Sequence, residues 1–250
     1  MYQLQFSDLS VDRFLSEYWQ KKPLLIKGGF KNFVDPLSAD EVAGLALEED
    51  IESRVVRSIS GEWDLQTGPF EDFSAFGDKD WTLLVQAVDH WHPDAAKLMD
   101  PFRFIPNWRI DDLMVSFSAP GGGVGPHLDQ YDVFIIQGEG KRHWRVGMPD
   151  NSLQQLCPHP RLLQVSPFTA CIDVITEPGD ILYIPPGCPH DGISIENSLN
   201  YSVGFRAPAQ KDLLTGLADY LVDHDISGKR FADPERIATD SVGQITDREL

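Results

Sequence analysis

The stretch GDILYIPPGCPH, which runs from Gly179 to His190, carries the clearest structural signal in this sequence of 250 residues. The apolar run from Ile181 to Ile184 has the length and the β-branched content of a buried strand. The Pro185-Pro186-Gly187 turn that follows is a strong stop signal for that strand. The stretch therefore places His190 just after a tight turn at the end of an apolar strand.

A second segment, GPHLD at residues 125–129, places a histidine and an aspartate two residues apart before another β-rich run. Residues i and i+2 share one face of an extended strand, so His127 and Asp129 can point the same way. An H-x-D pair alone is weak evidence for a site, because a histidine near an aspartate is common on protein surfaces. The pair gains weight only together with the later histidine.

From about residue 110 onward the sequence has the pattern of short strands. Gly/Pro turn signals separate several β-rich runs, and no helical segment intervenes between them; the runs are 113–117, 131–137, 144–146, 172–175, 181–184 and 201–205. Many short strands with turns between them predict an antiparallel sandwich or barrel.

Arg142 lies just past the Gly138-Glu139-Gly140 turn in this β-rich part. If residues 141–146 form a strand, Arg142, Trp144 and Val146 share one face, which we predict to be the inner one. A buried guanidinium needs an anionic partner, because an unpaired buried charge is strongly destabilising. A bound dicarboxylate could supply that partner through paired hydrogen bonds. A salt bridge to an internal aspartate or glutamate is the alternative.

The two histidine segments resemble the two motifs of the cupin superfamily. The matching residues are Gly121, His127 and Asp129 in the first motif, G-x5-H-x-(H or D), and Gly179, Pro185, Gly187 and His190 in the second, G-x5-P-x-G-x2-H. Asp129 stands where many cupins have another histidine, and Val133 and Phe134 stand where a glutamate would follow. Two imidazoles and one carboxylate form the facial triad of non-haem Fe(II) oxygenases, which leaves three metal positions open.

The segments 116–147 and 179–208, together with FLSEYWQKKPLLI at 14–26, resemble the JmjC-type ribosomal oxygenases over nearly the whole chain. The resemblance implies a mainly β fold with helices. A catalytic domain spans residues 1–207, with a largely helical part at 1–109 and a double-stranded β-helix (jelly-roll) core at 110–207. A helical dimerisation region spans 208–250 and carries the stripe Leu213, Leu214, Leu217 and Leu221.

In that family a winged-helix domain follows the dimerisation region, so we expect the chain to be truncated before it. The Thr246-Asp247 pair looks like a helix start, yet the sequence stops three residues later at Leu250. So few residues cannot nucleate a helix.

The resemblance also implies a chemistry. Fe(II) is held by His127, Asp129 and His190, with 2-oxoglutarate as cosubstrate and O2 as oxidant. Arg142 maps to the contact with the distal carboxylate, where many relatives have lysine, and Ser118 and Asn200 are further candidate contacts. The implied reaction is hydroxylation of an arginine in a basic ribosomal protein, with succinate and CO2 as coproducts. A JmjC-type N-methyl-lysine demethylase and a non-enzymatic metal-binding cupin module are the alternatives.

Three helices are predicted in the first hundred residues. Val11, Phe14, Leu15 and Tyr18 follow helical spacing, and that helix ends before Pro23. The capping box Ser38–Glu41 begins a second helix. Leu83, Leu84, Ala87, Val88 and Trp91 predict a third, which ends at His92-Pro93.

Composition narrows the choice of partners. The sequence has 21 Lys+Arg against 39 Asp+Glu, a net charge of −18. Such a charge repels nucleic-acid phosphates and attracts cationic partners, so it predicts no direct nucleic-acid binding and suits a basic ribosomal client. No apolar run is long enough to span a bilayer, and no secretory signal is present. We therefore expect a cytoplasmic protein that does not contact a membrane, and the resemblance to the ribosomal oxygenases implies a homodimer.

Overall fold

The computed structural model describes residues 2–6, 9–206, 208–226, 228, 230–238 and 243–245. The expected helix start at Thr246-Asp247 lies outside these residues. The chain divides into two compact units, Met1–Ala207 and Pro208–Leu250. A helix with the length and hydropathy needed to span a lipid bilayer is absent from the described residues.

In chain order the elements are α1 (Val11–Glu17), β1 (Leu24–Ile26), α2 (Ala39–Leu45), β2 (Ser53–Ile59), β3 (Glu62–Thr67), β4 (Trp81–Val85), α3 (Pro93–Ala96), β5 (Leu113–Ser118), β6 (Asp132–Gln137), β7 (Arg142–Gly147), β8 (Gln155–His159), β9 (Leu162–Val165), β10 (Ala170–Thr176), β11 (Ile181–Ile184), β12 (His190–Ser194), β13 (Ser198–Phe205) and α4 (Gln210–Asp223). Single 3-10 turns lie at Ser74–Phe76, Val88–His90, Asp100–Phe102 and Asn107–Arg109.

The strands form two main antiparallel sheets and one hairpin. The large sheet has the order β1-β11-β6-β13-β5-β4-β2-β3, and the small sheet has the order β10-β7-β12. Strands β8 and β9 pair only with each other. Apolar side chains from β6, β7 and β11 meet between the two main sheets, where Val133, Ile135, Trp144, Val146 and Leu182 are buried together. The strands predicted from residue 110 onward are therefore present.

Local capping signals explain the first two helices. The Ser10 side chain accepts a hydrogen bond from the backbone N–H of Arg13 at the start of α1. Ser38 and Glu41 form the predicted capping box at the start of α2, which satisfies N–H groups that have no partner inside the helix. Both helices are confirmed where the sequence predicts them.

The expectation that residues 1–109 are largely helical is wrong. Residues 81–85 form strand β4, which is buried at every position and pairs with β2 and β5. A strand buried on both faces shows no alternation, so its apolar run can be mistaken for a helix. Of the predicted third helix only the turn at Val88–His90 is present, and the short α3 begins where that helix was expected to end.

Phe14 anchors α1 to the large sheet. Its ring is fully buried and lies 4.9 Å from the ring of Tyr183 and 5.6 Å from the ring of Phe134, measured between centroids. Phe14→Ala is expected to lower the free energy of unfolding by about 3–5 kcal/mol, because it leaves a cavity in the core. Urea unfolding measures this loss. The exposed Arg13→Ala on the same helix should change the free energy by less than about 1 kcal/mol; an equal loss in both variants would contradict the anchoring role.

The second unit contains helix α4, Gln210–Asp223. Leu213, Leu214 and Leu217 lie on it with 58%, 67% and 54% of their surface exposed. Helix α4 therefore carries an apolar face that is exposed within the second unit.

Candidate functional site

His127 and His190 face each other across a backbone bridge. The backbone N–H of each donates to the carbonyl of the other at 3.0 Å, and the two imidazole centroids lie 4.2 Å apart. His190 begins β12, directly after the Pro/Gly turn, and His127 lies in the loop before β6. The structure thus brings together two residues that are 63 positions apart in the sequence.

Hydrogen bonds fix the orientation of both imidazoles. Nδ1 of His127 lies 2.9 Å from the carbonyl of Gly125, and Nδ1 of His190 lies 3.0 Å from the carbonyl of Cys188. A carbonyl accepts only, so each Nδ1 is the donor of this hydrogen bond and Nε2 is the nitrogen left to bind a metal. Backbone partners of this kind are the usual support of metal-ligating histidines.

Asp129 completes a three-residue cluster. One ligand atom from each of His127, Asp129 and His190 lies within 4.8 Å of the other two, and Oδ2 of Asp129 is 3.5 Å from Nε2 of His190. The backbone N–H of Gly187 donates to the carbonyl of Asp129 at 2.8 Å, which ties the turn of one motif to the other motif. Two imidazoles and a carboxylate with free lone pairs on one side fit a divalent transition metal.

Burial sets the protonation of His190. The side chain is 2% exposed, and this burial, followed by the positive charge that His127 would carry, lowers the pKa of His190 below its usual range. The imidazole is therefore neutral at pH 7. Neutral imidazole is the form that binds a metal, so the site does not have to release this proton on loading.

Arg142 lies inside the barrel, as strand alternation predicts. Along β7 the side chains of Arg142, Trp144 and Val146 are buried, and those of His143 and Arg145 are partly exposed. The guanidinium donates to the hydroxyls of Ser118 and, at 3.4 Å, Ser198. Among the residues that the structure describes, no carboxylate lies within ion-pair distance of it. Burial lowers the pKa of Arg142 to about 10, so the guanidinium remains charged at pH 7.

Ser118 contacts Arg142, whereas Asn200 only lines the same cavity, and the two side chains offer different hydrogen-bonding groups. The hydroxyl of Ser118 is fully buried between Arg142 and the hydroxyl of Thr82, which is 2.8 Å away. The amide nitrogen of Asn200 donates to Oε1 of Gln137 at 3.2 Å, so its unpartnered atom is the acceptor Oδ1. An acceptor does not bind a carboxylate directly. Asn200 could contact a carboxylate only with its amide reversed or through a water molecule.

The predicted residues other than Ser118 line one cavity of about 840 Å³. Its wall also contains charged residues that the sequence did not single out: Glu52, Asp111, Asp112, Arg54, Arg161 and Arg206. Several of these are already paired, since Arg206 Nε lies 2.9 Å from Asp111 and Asp112 accepts from Gln86 at 2.6 Å. Only Asp111 and Asp112 left a signal in the sequence that could have pointed to this wall, because they are adjacent acids immediately before a core strand.

The sequence and fold were compared with known proteins. Residues 97–213 match the JmjC domain family. The chain is 59% identical over 222 residues to ribosomal protein uL16 3-hydroxylase of Escherichia coli K12, which spans 89% of this chain and 59% of that protein. It is 35% identical over 250 residues to a probable ribosomal oxygenase of Haemophilus influenzae, which spans 97% of this chain and 62% of that protein.

Comparison of the fold with solved structures also finds a ribosomal oxygenase. The fold superposes on Escherichia coli YcfD, a ribosomal oxygenase in complex with cobalt and 2-oxoglutarate, with a TM-score of 0.91 and 52% identity, covering 100% of this chain and 65% of that one. This agreement confirms the predicted mainly β, double-stranded β-helix fold. The chain spans about three fifths of the length of the two relatives named above.

Proposed function

We propose, from the match of residues 97–213 to the JmjC domain family, that the chain is an Fe(II)- and 2-oxoglutarate-dependent hydroxylase of an arginine in a ribosomal protein. One observation carries the proposal furthest. A buried guanidinium without a carboxylate partner, Arg142, lines the same cavity as a cluster of two histidines and an aspartate. A single dicarboxylate could chelate a metal held by the cluster with one end and pair with the guanidinium through the other.

His127, Asp129 and His190 would hold the metal, each through an atom that the surrounding structure leaves free. When bound, Fe(II) with 2-oxoglutarate and O2 supplies the oxidising chemistry that inserts a hydroxyl group and yields succinate and CO2. The carbonyls of Gly125 and Cys188 keep the two imidazoles turned toward the metal position. These residues provide geometry and charge balance, while the bond chemistry belongs to the metal and its cosubstrate.

Arg142 would bind the distal carboxylate of 2-oxoglutarate. Ser118 and Ser198 hold the guanidinium from one side, which leaves its Nε without a partner. A carboxylate that displaces the hydroxyl of Ser198, the longer of the two contacts, could accept from Nε and Nη2 at once, a paired geometry that lysine cannot offer. The apolar side chains of Val133 and Ile135 line the same cavity and limit the access of water.

The substrate assignment rests on similarity and on charge. The relative from Escherichia coli is described as a hydroxylase of ribosomal protein uL16. The three acidic residues of the cavity wall outside the histidine–aspartate cluster are matched there by three arginines other than Arg142, so the wall itself adds no preference. The net charge of −18 of the whole chain favours a basic peptide over a nucleic acid. With such a substrate we expect the enzyme to act in the cytoplasm.

Mass spectrometry with defined peptides tests the proposal. The Fe(II)-loaded protein should add 16 Da to an arginine peptide from the large ribosomal subunit and form succinate in equal amount. Formaldehyde release from an N-methyl-lysine peptide would instead support the demethylase alternative. Absence of 2-oxoglutarate turnover with every basic peptide would support a metal-binding module without catalysis.

We further propose that the chain is a homodimer that buries the exposed face of α4. Light scattering should give twice the chain mass of 28.1 kDa. Leu217→Asp should shift the protein to the monomer, because a charge in an apolar interface is strongly unfavourable. Lys211→Glu, at an exposed position on the same helix, serves as the control and should leave the dimer intact. A monomer mass for the wild type across a wide concentration range would rule out the dimer.

A further inference from the structure

Three buried side-chain atoms in the described residues have no hydrogen-bond partner: Nε of Arg142, Nε1 of Trp144 and Oδ1 of Asn200. All three side chains line the cavity beside the histidine–aspartate cluster. Leaving a buried N–H unpaired costs free energy, so such a group signals a missing partner. Arg142 and Asn200 already have assigned candidate roles, whereas the indole N–H of Trp144 has none.

Trp144 is held at one defined place along β7. Its ring packs directly on Gly192 of β12, where a Cβ atom would lie only 2.7–2.8 Å from three ring atoms. In the β7–β12 register, Arg142 lies opposite Ser194, Trp144 opposite Gly192, and Val146 opposite His190. The indole therefore lies between the arginine and the metal-ligating histidine.

The distances agree with this placement. The ring centroid of Trp144 is 5.8 Å from Cζ of Arg142 and 6.3 Å from the ring centroid of His190. A molecule that reaches from the metal position to the guanidinium must pass along the indole. Of Arg142 and His190, Arg142 is the nearer to the indole, and its charge attracts an anionic group. A carboxylate bound to Arg142 is therefore the nearest hydrogen-bond acceptor for the indole N–H.

We propose that Trp144 is a further cosubstrate-binding residue, whose indole N–H donates a hydrogen bond to the distal carboxylate of 2-oxoglutarate. The inference rests on the proposed function. Arg142 supplies the charge, and Trp144 selects the position of the carboxylate, because its ring is fixed by contact with Gly192. The unpaired N–H in the free protein is the cost of keeping this donor ready.

The test compares Trp144→Phe with Trp81→Phe. Trp81 is also buried on a strand, but its indole N–H already donates to the carbonyl of Gly77 at 2.8 Å, and its side chain does not line the cavity. Isothermal titration on the Zn(II)-loaded protein measures binding without turnover. Trp144→Phe should raise the Kd of 2-oxoglutarate about tenfold, the effect of one hydrogen bond to a charged group. Trp81→Phe should leave that Kd unchanged.

Two further measurements sharpen the result. 2-Oxobutyrate keeps the chelating 2-oxo acid but lacks the distal carboxylate, so wild type and Trp144→Phe should bind it equally. In the wild-type Zn(II) protein, the indole ¹H–¹⁵N resonance of Trp144 should move downfield with 2-oxoglutarate and stay in place with 2-oxobutyrate. The resonance test does not depend on the folding of a variant.

The outcomes separate the two proposals. Wild-type protein that binds no 2-oxoglutarate would overturn the proposed function and this inference with it. Normal wild-type binding, with an unchanged Kd in Trp144→Phe and a stationary indole resonance, would overturn only the role of Trp144. An equal loss of affinity for 2-oxoglutarate and 2-oxobutyrate would also overturn it, since the distal carboxylate would then not be the partner.

Discussion

Asp129→Ala and His190→Ala are each expected to abolish 2-oxoglutarate turnover, with a loss greater than about a hundredfold. Removing a hydrogen-bond partner of a metal ligand already costs 10–100-fold in metal affinity or activity, so removing a ligand costs more. His127→Ala should behave in the same way. Coupled assays of succinate formation measure turnover, and titration with Co(II) measures metal binding by its absorption spectrum.

The small sheet offers a matched control for these variants. His143 and Asp173 also form a close pair, with Nε2 and Oδ1 2.6 Å apart, but they lie on the outer face of β7 and β10. His143→Ala and Asp173→Ala should retain full turnover and metal binding. Circular dichroism should show the same β content in all five proteins. Wild-type turnover in any of the three cluster variants would remove that residue from the metal site.

Arg142→Ala is expected to raise the concentration of 2-oxoglutarate needed for half-maximal turnover by tenfold or far more. Each charge-assisted hydrogen bond to the distal carboxylate is worth about 1.5–3 kcal/mol, and the paired geometry supplies more than one of them. Arg142→Lys should raise this concentration less, because the ammonium keeps the charge but loses the paired N–H donors of the guanidinium. Metal affinity should change little, since the guanidinium contacts none of the three ligands in the described structure.

Thermal stability gives a second measurement of the same contact. 2-Oxoglutarate with Mn(II) should raise the Tm of the wild type, because a ligand that binds only the folded state stabilises it. The same addition should leave the Tm of Arg142→Ala close to its ligand-free value. Arg145→Ala, on the opposite face of β7, should respond like the wild type. Wild-type cosubstrate dependence in Arg142→Ala would leave the cosubstrate assignment without its main physical support.

Much of the barrel and the candidate site could be predicted from local patterns. The alternation of Arg142 to Val146 along β7 predicts which side chains face inward, and the burial of these residues follows it. The Pro/Gly turn before His190 predicts a fixed position for that residue, and the bond from Gly187 to Asp129 shows how the turn joins the two motifs. The roles of the three ligands, Arg142, Ser118 and Asn200 stay predictions.

The secondary structure of the first hundred residues is harder to predict from the sequence, because a strand buried on both faces lacks the alternation of apolar and polar residues. Strand β4 has five consecutive buried residues and no alternation, so its leucines read as part of a helix. The sequence does contain a turn signal between β2 and β3, the dipeptide Ser60-Gly61. In the structure these two residues form the connection between the strands, and both have positive φ, 54° and 86°, as a tight hairpin turn requires.

The charged residues of the cavity wall could not be found by motif. Arg54 lies on β2, Arg161 precedes β9, and Arg206 follows β13, so only the folded sheets bring them together. Similarly, the amide orientation of Asn200 depends on Gln137 of β6, 63 residues earlier. Sequence position contains no information about such a contact until the pairing of β6 with β13 is known.

The pairing of β1 with β11 determines when the N-terminal part of a growing chain can fold. Ile26 pairs with Ile181, which leaves the ribosome 155 residues later. At about 5–20 residues per second, the first strand waits roughly 8–30 s for its neighbour. During that interval Phe14 and Leu24–Ile26 have no sheet to cover them. The nascent chain therefore exposes this apolar segment until β11 has been synthesised.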